Sequence, residues 1–380
     1  MKKKFKVDII LLSCVIALTI IGIIMVQSAS SFVALKNYND KYYFLKKQII
    51  GVIIGFAVMC FFYFINLEKL KKFKYLFLAI SLAMLGVLFV PGIGKTSFGA
   101  NRWINLGFIT IQPSEIAKFG FIVYSAGVMS DMKKDPQKFI SMLPTLLAGI
   151  SMCALIMLEP NMSTTICLGL TMIVMLFIGG SSIKNMLLIC VPALCAIPLL
   201  IILAPYRMQR LTAYLDPWSA PLGEGFQLIQ SYYALGSGGW TGLGLGNSRQ
   251  KYLFLPFAES DFIFSIIGEE LGFLFCVFVI LLYVIIVIRG LKIAKNADTR
   301  FKCYLASGIT AVIAIQAFMN IAVVSGAIPP TGLPLPFVSA GSTSLIVFLG
   351  AIGVLCNVGK SGKGKQFLGN IKFLRNAKGE

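Results

Sequence analysis

Histidine is absent from this sequence of 380 residues, and only 13% of the residues are charged. The missing histidine removes the side chain that most often transfers protons near neutral pH and most often binds metals. A soluble globular chain has about a quarter of its residues charged, so a chain this poor in charge is not a typical soluble protein. Any proton transfer must therefore depend on carboxylates, lysine, tyrosine or cysteine.

The nine cysteines include no CxxC pair, and each lies in or next to an apolar run. This pattern indicates small packing residues and excludes a disulfide framework or a zinc site. The lysine-rich start resembles a signal peptide, with SAS as a cleavage site. However, the apolar run that follows has about twenty residues, which is enough to cross a bilayer. Many more such runs come after it, so we expect a retained first helix.

Long apolar runs fill most of the chain, which is 57% hydrophobic. We predict an all-α polytopic membrane protein with about ten transmembrane helices, in a single domain over residues 1–380. The predicted spans are about 9–28, 48–66, 75–91, 113–130, 140–158, 162–180, 185–204, 262–288, 304–328 and 335–357.

Basic residues exceed acidic ones by 34 to 15, and they form short clusters between the apolar runs. Lys and Arg concentrate in cytoplasmic loops, so these clusters predict orientation. With the N-terminus inside, 23 of the 34 basic residues fall on the cytoplasmic side, and both termini are predicted to be cytoplasmic. The basic tail, about residues 358–380, shows no nucleic-acid-binding fold. We interpret it as a contact with the inner leaflet and expect no nucleic acid partner.

Two outer segments, about residues 92–112 and 205–261, are too long to be turns. Long loops of this kind usually carry function or are disordered. The second is rich in Gly, Pro, Tyr and Trp, which predicts order and short interfacial helices. We therefore expect the chemistry to lie on the outer face.

Four of the 15 acidic residues occur in the stretch LPFAESDFIFSIIGEELG. Asp261 stands at the outer mouth of the eighth predicted span, where water and a lipid-borne substrate meet, and we interpret it as functional. A charge at mid-bilayer costs about 2.5–3.5 kcal/mol on the mildest scale, so Glu269 and Glu270 need partners or a cavity. A structural network with a buried lysine or backbone donors and a functional role are both open for this pair.

The stretch GANRWINLGFITIQPSEIAKFG contains a second group of candidates. Pro113 is expected at a helix start, where its missing N–H is harmless. Glu115 and Lys118 then share one helical face, either as an ion pair that lowers the cost of insertion or as part of a site. Arg102 and Trp103 suit contacts with phosphate and with sugar or lipid, although Trp103 is equally explained as an interfacial anchor.

Arg207 and Arg210 form a third group, in PYRMQRLTAYLDPW. Two guanidinium groups on one turn just outside the membrane match a pyrophosphate clamp. The same pair is also explained as an anchor at the membrane surface.

Taken together, these stretches resemble the SEDS family (shape, elongation, division and sporulation), which includes the FtsW, RodA and SpoVE types. The resemblance covers essentially the whole chain, and the DPW, GFQ and QS pieces are nearest to the FtsW and SpoVE types. The matching pieces are GANRWINLG with IQPSE, LEPNMST, RMQRLTAYLDPW, GFQLIQSYYALGSGGWTGLGLGNSRQK, LPFAESDFIF with EELG, and MNIAVVSGAIPPTGLPLPFVSAGSTSL.

The resemblance implies a peptidoglycan glycosyltransferase of the bacterial plasma membrane, which polymerises lipid II at the extracytoplasmic face. It places the family's essential aspartate on Asp261, here in SDF. The substrate-binding candidates are Arg102, Trp103, Glu115, Lys118, Arg207, Arg210, Gln227, Glu259 and Ser339. The candidates that shape the cavity are Gln112, Pro113, Ser114, Glu269 and Glu270.

In the implied mechanism Asp261 removes a proton from the acceptor hydroxyl, while arginine and lysine meet the charge of the departing undecaprenyl pyrophosphate. Glu259 would raise the pKa of Asp261 by like-charge repulsion. The sequence departs from the family pattern at Phe257, Glu259, Asn161 and Ser342, where Glu, His, Asp and Gly are usual. These departures leave open any role for a loop histidine or a metal near Asp261.

The pattern requires no cofactor, and a divalent cation, Mg²⁺ or Mn²⁺, is left open as a second source of positive charge. The implied partners are lipid II, undecaprenyl-linked glycan, a monofunctional class B penicillin-binding transpeptidase and other divisome or elongasome proteins. A lipid II flippase with a carboxylate proton relay and a non-catalytic division scaffold are the alternatives. The lack of matched broken helices in the two halves, and polar residues concentrated on one face, favour the enzyme.

Overall fold

The computed structural model describes residues 7–90, 94–97, 100–105, 110–132, 135–202, 205–252 and 254–360. The lysines of the predicted cytoplasmic start (residues 2–6), Lys133, Lys134 and the tail beyond residue 360 lie outside them. The helices are α1 (Ile9–Tyr38), α2 (Tyr43–Phe64), α3 (Leu67–Lys72), α4 (Lys74–Val87), α5 (Pro113–Asp131), α6 (Phe139–Leu158), α7 (Met162–Ile178), α8 (Ile183–Ile202), α9 (Pro205–Leu215), α10 (Phe226–Gly238), α11 (Ile263–Lys295), α12 (Arg300–Val324) and α13 (Ser342–Lys360).

A helix occurs at each of the ten segments predicted to span. Among the described residues, six of these helices are long and apolar enough to cross a membrane, namely α1, α2, α6, α11, α12 and α13. The chain is therefore a mostly helical, multi-pass membrane protein. The last predicted span, 335–357, is helical only from Ser342 onward. Phe337 has a φ of +67°, which is not helical, so the helix can start only after this residue.

A small antiparallel sheet corrects the all-α prediction. It consists of β1 (Gly94–Ser97), β2 (Ala100–Asn105) and β3 (Thr110–Ile111), in the order β1-β2-β3. Its strands are too short to show a clear alternation in the sequence, so the segment was interpreted as a loop. The sheet leads into α5, which begins at Pro113 as predicted.

The most enclosed helices stand at the centre of the bundle. In α12 and in α13, 72% of the most apolar stretch of 18 residues is buried. The corresponding share in α2 is 17%, so α2 lies at the periphery of the bundle. α12 packs against α5, α7 and α11. The cysteines form no disulfide, as predicted, and five of the nine are buried packing residues.

The segment 205–261, which is predicted to be an outer loop, contains α9, a 3₁₀ turn at Pro217–Ser219, and α10, which confirms the prediction of order and short helices. α10 packs on α11. α9 is held by the Tyr214 hydroxyl, which donates to the Ala327 carbonyl at 3.0 Å.

α11 is broken at Gly272, whose φ of 79° and ψ of −179° are not helical. Such a backbone favours glycine, because a side chain is strained there. The chain between Gly239 and Gly244 lies against the break and supplies the backbone partners that the helix cannot. The bonds are Leu243 N to Glu269 O (2.9 Å), Gly244 N to Glu270 O (2.9 Å), Phe273 N to Gly239 O (2.9 Å) and Leu274 N to Trp240 O (3.2 Å).

Candidate active site around Asp261

Asp261 lies in the turn just before α11, which begins at Ile263. The carbonyls of this turn are fixed one after another. The Ala340 N–H donates to Glu259 O at 2.9 Å, and the Ser339 hydroxyl donates to Ser260 O at 2.6 Å. The Asn320 amide donates to Asp261 O at 2.8 Å. The predicted residue Ser339 thus holds the backbone beside Asp261, whose own side chain is partly exposed.

The surroundings of Asp261 raise the pKa of its carboxyl to about 6. Burial is the largest cause, and the charge of Glu259 is the second, so the expected repulsion is present but is not the main effect. A hydrogen bond from Ser260 and the charges of Arg102 and Arg210 oppose the rise. A carboxyl of this kind is ionised near neutral pH and is still basic enough to accept a proton.

Gly332 faces the carboxylate from the segment that precedes α13. Its φ is +73°, and a Cβ built on it would lie 3.2 Å from Asp261 Oδ2. The neighbouring Ser163 hydroxyl donates to the Thr331 carbonyl, which joins this segment to the start of α7. The absence of a side chain at Gly332 therefore leaves one side of the carboxylate open.

Glu259 is 9% exposed, and burial raises the pKa of its carboxyl. Gln227, a predicted substrate-binding residue, donates from Nε2 to the Pro256 carbonyl at 3.1 Å. Gln227 in this structure therefore supports the loop that carries Glu259 and Asp261.

The three predicted arginines lie at the corner between α6 and α7 or act on Asp261 through their charge. Arg102 on β2 donates from Nε to Glu159 O at 3.2 Å and from Nη2 to Pro160 O. Arg207 on α9 approaches the Met157 sulfur at 3.2 Å. Arg210, one turn later, is half exposed and lies 3.7 Å from Glu224. The charges of Arg102 and Arg210 reach Asp261, so an anionic group beside this carboxyl would be attracted to them.

Glu159 is a buried acid that the sequence analysis did not select. Its side chain is 3% exposed, and neither carboxylate oxygen has a hydrogen-bond partner within the described part of the chain. Burial raises the pKa of Glu159 to about 8, and the nearby charge of Arg102 opposes the rise. The sequence contains a signal for this residue, because acidic residues in or next to membrane-spanning runs are rare and are often functional.

Glu115 and Lys118 form the ion pair that their spacing predicts, with Nζ 2.8 Å from Oε1 and both side chains fully buried. Lys118 also donates to Gln316 on α12, and Gln316 in turn donates to the Pro334 carbonyl at 2.9 Å. The pair therefore joins α5 to the segment beside Asp261. Because Lys118 is fully buried, it touches its protein neighbours and not the open space.

The remaining predicted residues near α5 connect the sheet to α13. Gln112 caps α5, and its N–H donates to the Thr343 hydroxyl at 3.3 Å. That hydroxyl donates to Thr110 O on β3 at 2.6 Å. Ser114 is fully buried, and Trp103 on β2 is partly exposed. Trp103 follows Arg102 directly and so points to the opposite face of the strand.

Glu269 and Glu270 bind the loop that follows α10. Glu269 accepts from the Arg249 N–H at 2.8 Å and from the Ser248 hydroxyl. Glu270 accepts from Lys251 Nζ at 3.0 Å and from the Ser28 hydroxyl of α1 at 2.7 Å. Glu269 and Glu270 therefore have a buried lysine and backbone N–H groups as partners. These are the partners expected if the two glutamates form a structural network. Lys251 was not among the predicted residues.

Comparison with known proteins agrees with this architecture. A family model described as cell cycle protein, for the FtsW, RodA and SpoVE types, matches residues 8–364. The chain belongs to this FtsW/RodA/SpoVE family.

Relatives and solved structures of the family cover nearly the full length of the chain. Stage V sporulation protein E of Bacillus subtilis is 39% identical over 94% of this chain and 98% of its own. The probable peptidoglycan glycosyltransferase FtsW of Geobacter sulfurreducens is 40% identical over 94% of this chain and 96% of its own.

Among solved structures, a chain of a peptidoglycan synthase complex that coordinates polymerisation and crosslinking matches with a TM-score of 0.78 and 25% identity, over 94% of this chain and 99% of its own. The rod shape determining protein RodA of Thermus thermophilus shares the FtsW/RodA/SpoVE fold, with a TM-score of 0.71 and 22% identity over 95% of this chain and 99% of its own.

One departure from the family pattern, at Asn161, has a local explanation in the structure. Asn161 caps α7 through Oδ1, which accepts from Thr164 N at 3.3 Å. Asn and Asp serve equally at this position, so the cap is kept. Phe257 has a φ of +56°, an uncommon conformation for a non-glycine residue. Nothing in the structure explains why Ser342 replaces Gly.

A resident metal does not fit the side chains near Asp261. Within the described residues, no group of three or more Asp, Glu or Cys side chains converges. The positive charges of Arg102 and Arg210 already act on Asp261. We therefore derive no step through a metal.

Proposed function

We propose that this protein is a peptidoglycan glycosyltransferase that polymerises lipid II at the outer face of the bacterial plasma membrane. The named relatives and the solved synthase complex support the reaction class. The observation that carries the assignment of the site is the Asp261 carboxyl, which is partly open to solvent, has a pKa raised to about 6 and feels the charges of Arg102 and Arg210.

The proposed topology has ten spans and cytoplasmic termini. It rests on ten helices at the predicted segments and on the bias of basic residues. In this orientation, Asp261, the sheet and α9 face the outside. α11 is broken at Gly272, but the backbone groups that the break leaves are paired with residues 239–244. The break therefore fixes the position of residues 239–244. In transporters, by contrast, the backbone groups at a broken helix are left open to bind the transported ion or substrate.

In the proposed reaction, the Asp261 carboxylate accepts the proton of the C4 hydroxyl of the acceptor lipid II. The hydroxyl oxygen forms a bond with the anomeric carbon of the growing strand, and the bond from that carbon to the pyrophosphate oxygen breaks. Undecaprenyl pyrophosphate leaves with the electron pair. Arg102, Arg207 and Arg210 stabilise the charge that develops on it.

Polymerisation of labelled lipid II by the full chain in lipid vesicles tests the proposal. We expect Asp261→Asn to abolish glycan chains while leaving thermal unfolding unchanged. Asp216→Asn, a change at another aspartate of the same outer segment, is the matched control. Normal polymerisation by Asp261→Asn would show that the base is another group.

We also propose that a divalent cation enters this site bound to the pyrophosphate, whose oxygens are the ligands that Mg²⁺ prefers. A chelator titration of the same assay tests it, and restoration by Mg²⁺ or Mn²⁺ alone would support it. We also propose a class B penicillin-binding transpeptidase as partner, on the strength of the solved synthase complex. Co-purification of the two full-length proteins from membranes tests this pairing.

A further inference from the structure

Asn320 of α12 is 1% exposed and directs its side-chain amide at two backbone carbonyls. Its Nδ2 lies 2.8 Å from Asp261 O and 2.7 Å from Leu333 O. An amide nitrogen carries two hydrogens in one plane, so a single side chain fixes both acceptors relative to each other.

The two acceptors belong to the segments that face each other at the proposed base. Leu333 follows Gly332, the residue that stands against the Asp261 carboxylate. The helix does not hold Asp261 O, because the Ser265 N–H four residues later bonds to Phe262 O at 3.0 Å. The Asn320 amide thus connects the carbonyl of Asp261 directly to the carbonyl of Leu333 in the opposite segment.

The segment that carries Gly332 and Leu333 has a second hydrogen bond to α12, at Pro334. Gln316, one turn before Asn320, donates to the Pro334 carbonyl at 2.9 Å. Each segment also holds a phenylalanine in a left-handed conformation, Phe257 with a φ of 56° and Phe337 with a φ of 67°. Strained residues of this kind persist where the surroundings fix the backbone firmly, as at many active sites.

We propose that Asn320 is a positioning residue for glycosyl transfer, which sets the place of the Asp261 carboxylate relative to the Gly332 segment. It does so through the backbone and touches no reacting atom. The inference rests on the proposed role of Asp261 as the base. A shift of about 1 Å in a catalytic group lowers a rate by about 10²-fold, so a lost tether is measurable.

The chain offers a matched control. Asn357 of α13 makes the same kind of bridge, with Nδ2 2.8 Å from Phe62 O and 2.7 Å from Ile65 O. It joins α13 to the end of α2, and neither of its two acceptors belongs to the turn that carries Asp261. A structural role alone predicts similar effects of the two asparagines, whereas a positioning role predicts a kinetic effect at Asn320 only.

The experiment compares Asn320→Ala with Asn357→Ala in lipid II polymerisation and in thermal unfolding. For Asn320→Ala we expect kcat to fall by about 10²-fold with little change in KM. We also expect the acidic limb of the rate profile to move to lower pH. The reason is that burial raises the pKa of Asp261, and a loosened turn is less buried. For Asn357→Ala we expect wild-type kinetics.

Should Asn320→Ala fail to accumulate, Asn320→Leu keeps the approximate volume of the side chain, loses both amide donors and adds no charge, and the same fall in kcat is expected. Normal kcat and an unmoved pH profile in an Asn320 variant would overturn the inference, as would an equal kinetic loss in Asn357→Ala. Neither result touches the proposed function, which fails only if Asp261→Asn remains active.

Discussion

A Cβ on Gly332 would stand 3.2 Å from Oδ2 of Asp261, so the glycine and the carboxylate meet at the limit of ordinary contact. Gly332→Ala places a methyl group there and strains a φ of +73°. We expect polymerisation to fall by about tenfold or more, because the added carbon occupies the approach to the base.

Gly246→Ala is the control for that change. Gly246 has a similar φ of +83°, but a Cβ there meets nothing within 4 Å. Both variants therefore carry backbone strain, and the Gly332 variant alone loses activity. Equal activity of the two would show that the space beside Oδ2 is not used by the substrate.

The rate of polymerisation should fall as the pH drops through about 6, because Asp261 must be ionised to accept a proton. Glu259→Gln removes a like charge, which lowers the pKa of Asp261. The acidic limb should then move to lower pH, while burial still holds the pKa above its ordinary value. Glu68→Gln on α3 is the control. If the acidic limb of the pH–rate profile moves to higher pH in Glu259→Gln, Asp261 is not the group that titrates.

Arg210 acts on Asp261 in the opposite direction, since its positive charge lowers the pKa of the carboxyl. Arg210→Ala should move the acidic limb to higher pH and raise KM for lipid II by about tenfold, as expected for a lost charged hydrogen bond. Arg249→Ala, a change at another exposed arginine between α9 and α11, should leave both quantities unchanged. An unchanged KM in Arg210→Ala would remove this residue from the pyrophosphate clamp.

Lys251 and Glu270 form an ion pair in which both side chains are buried, 4% and 0% exposed. Lys251→Met leaves the glutamate without its cation, which should lower the free energy of unfolding by about 3–5 kcal/mol. Adding Glu270→Gln should recover part of the loss. Lys46→Met breaks an exposed pair with Asp40 and should cost about 0–1 kcal/mol. Denaturant unfolding in detergent measures all three, and equal losses in the two lysine variants would contradict the difference in burial.

Local patterns predicted the helices and the pairs that lie within one helix. Apolar length placed the helices of the bundle, and spacing placed Glu115 beside Lys118. The helix start at Pro113 followed from its missing N–H. These features depend on a few neighbouring residues, so the sequence displays them directly.

Contacts between distant residues could not be predicted in this way. Asn320 and Asp261 are separated by 59 positions, and Ser28 and Glu270 by 242. A pattern was nevertheless present, because Gln316 and Asn320 are amides four residues apart in an apolar helix and so lie on one face. The partners of that face became visible only when the fold brought residues 333 and 334 against it.

The interruption at Gly272 also restricts how this part of the chain can change length. Residues 239–244 are matched with residues 269–274 through the main chain, so one inserted residue would offset every pairing beyond it. The turn near Leu222, whose side chain is 92% exposed, carries no such register. Insertions and deletions among relatives should therefore collect near residue 222 and be missing from the glycine-rich stretch.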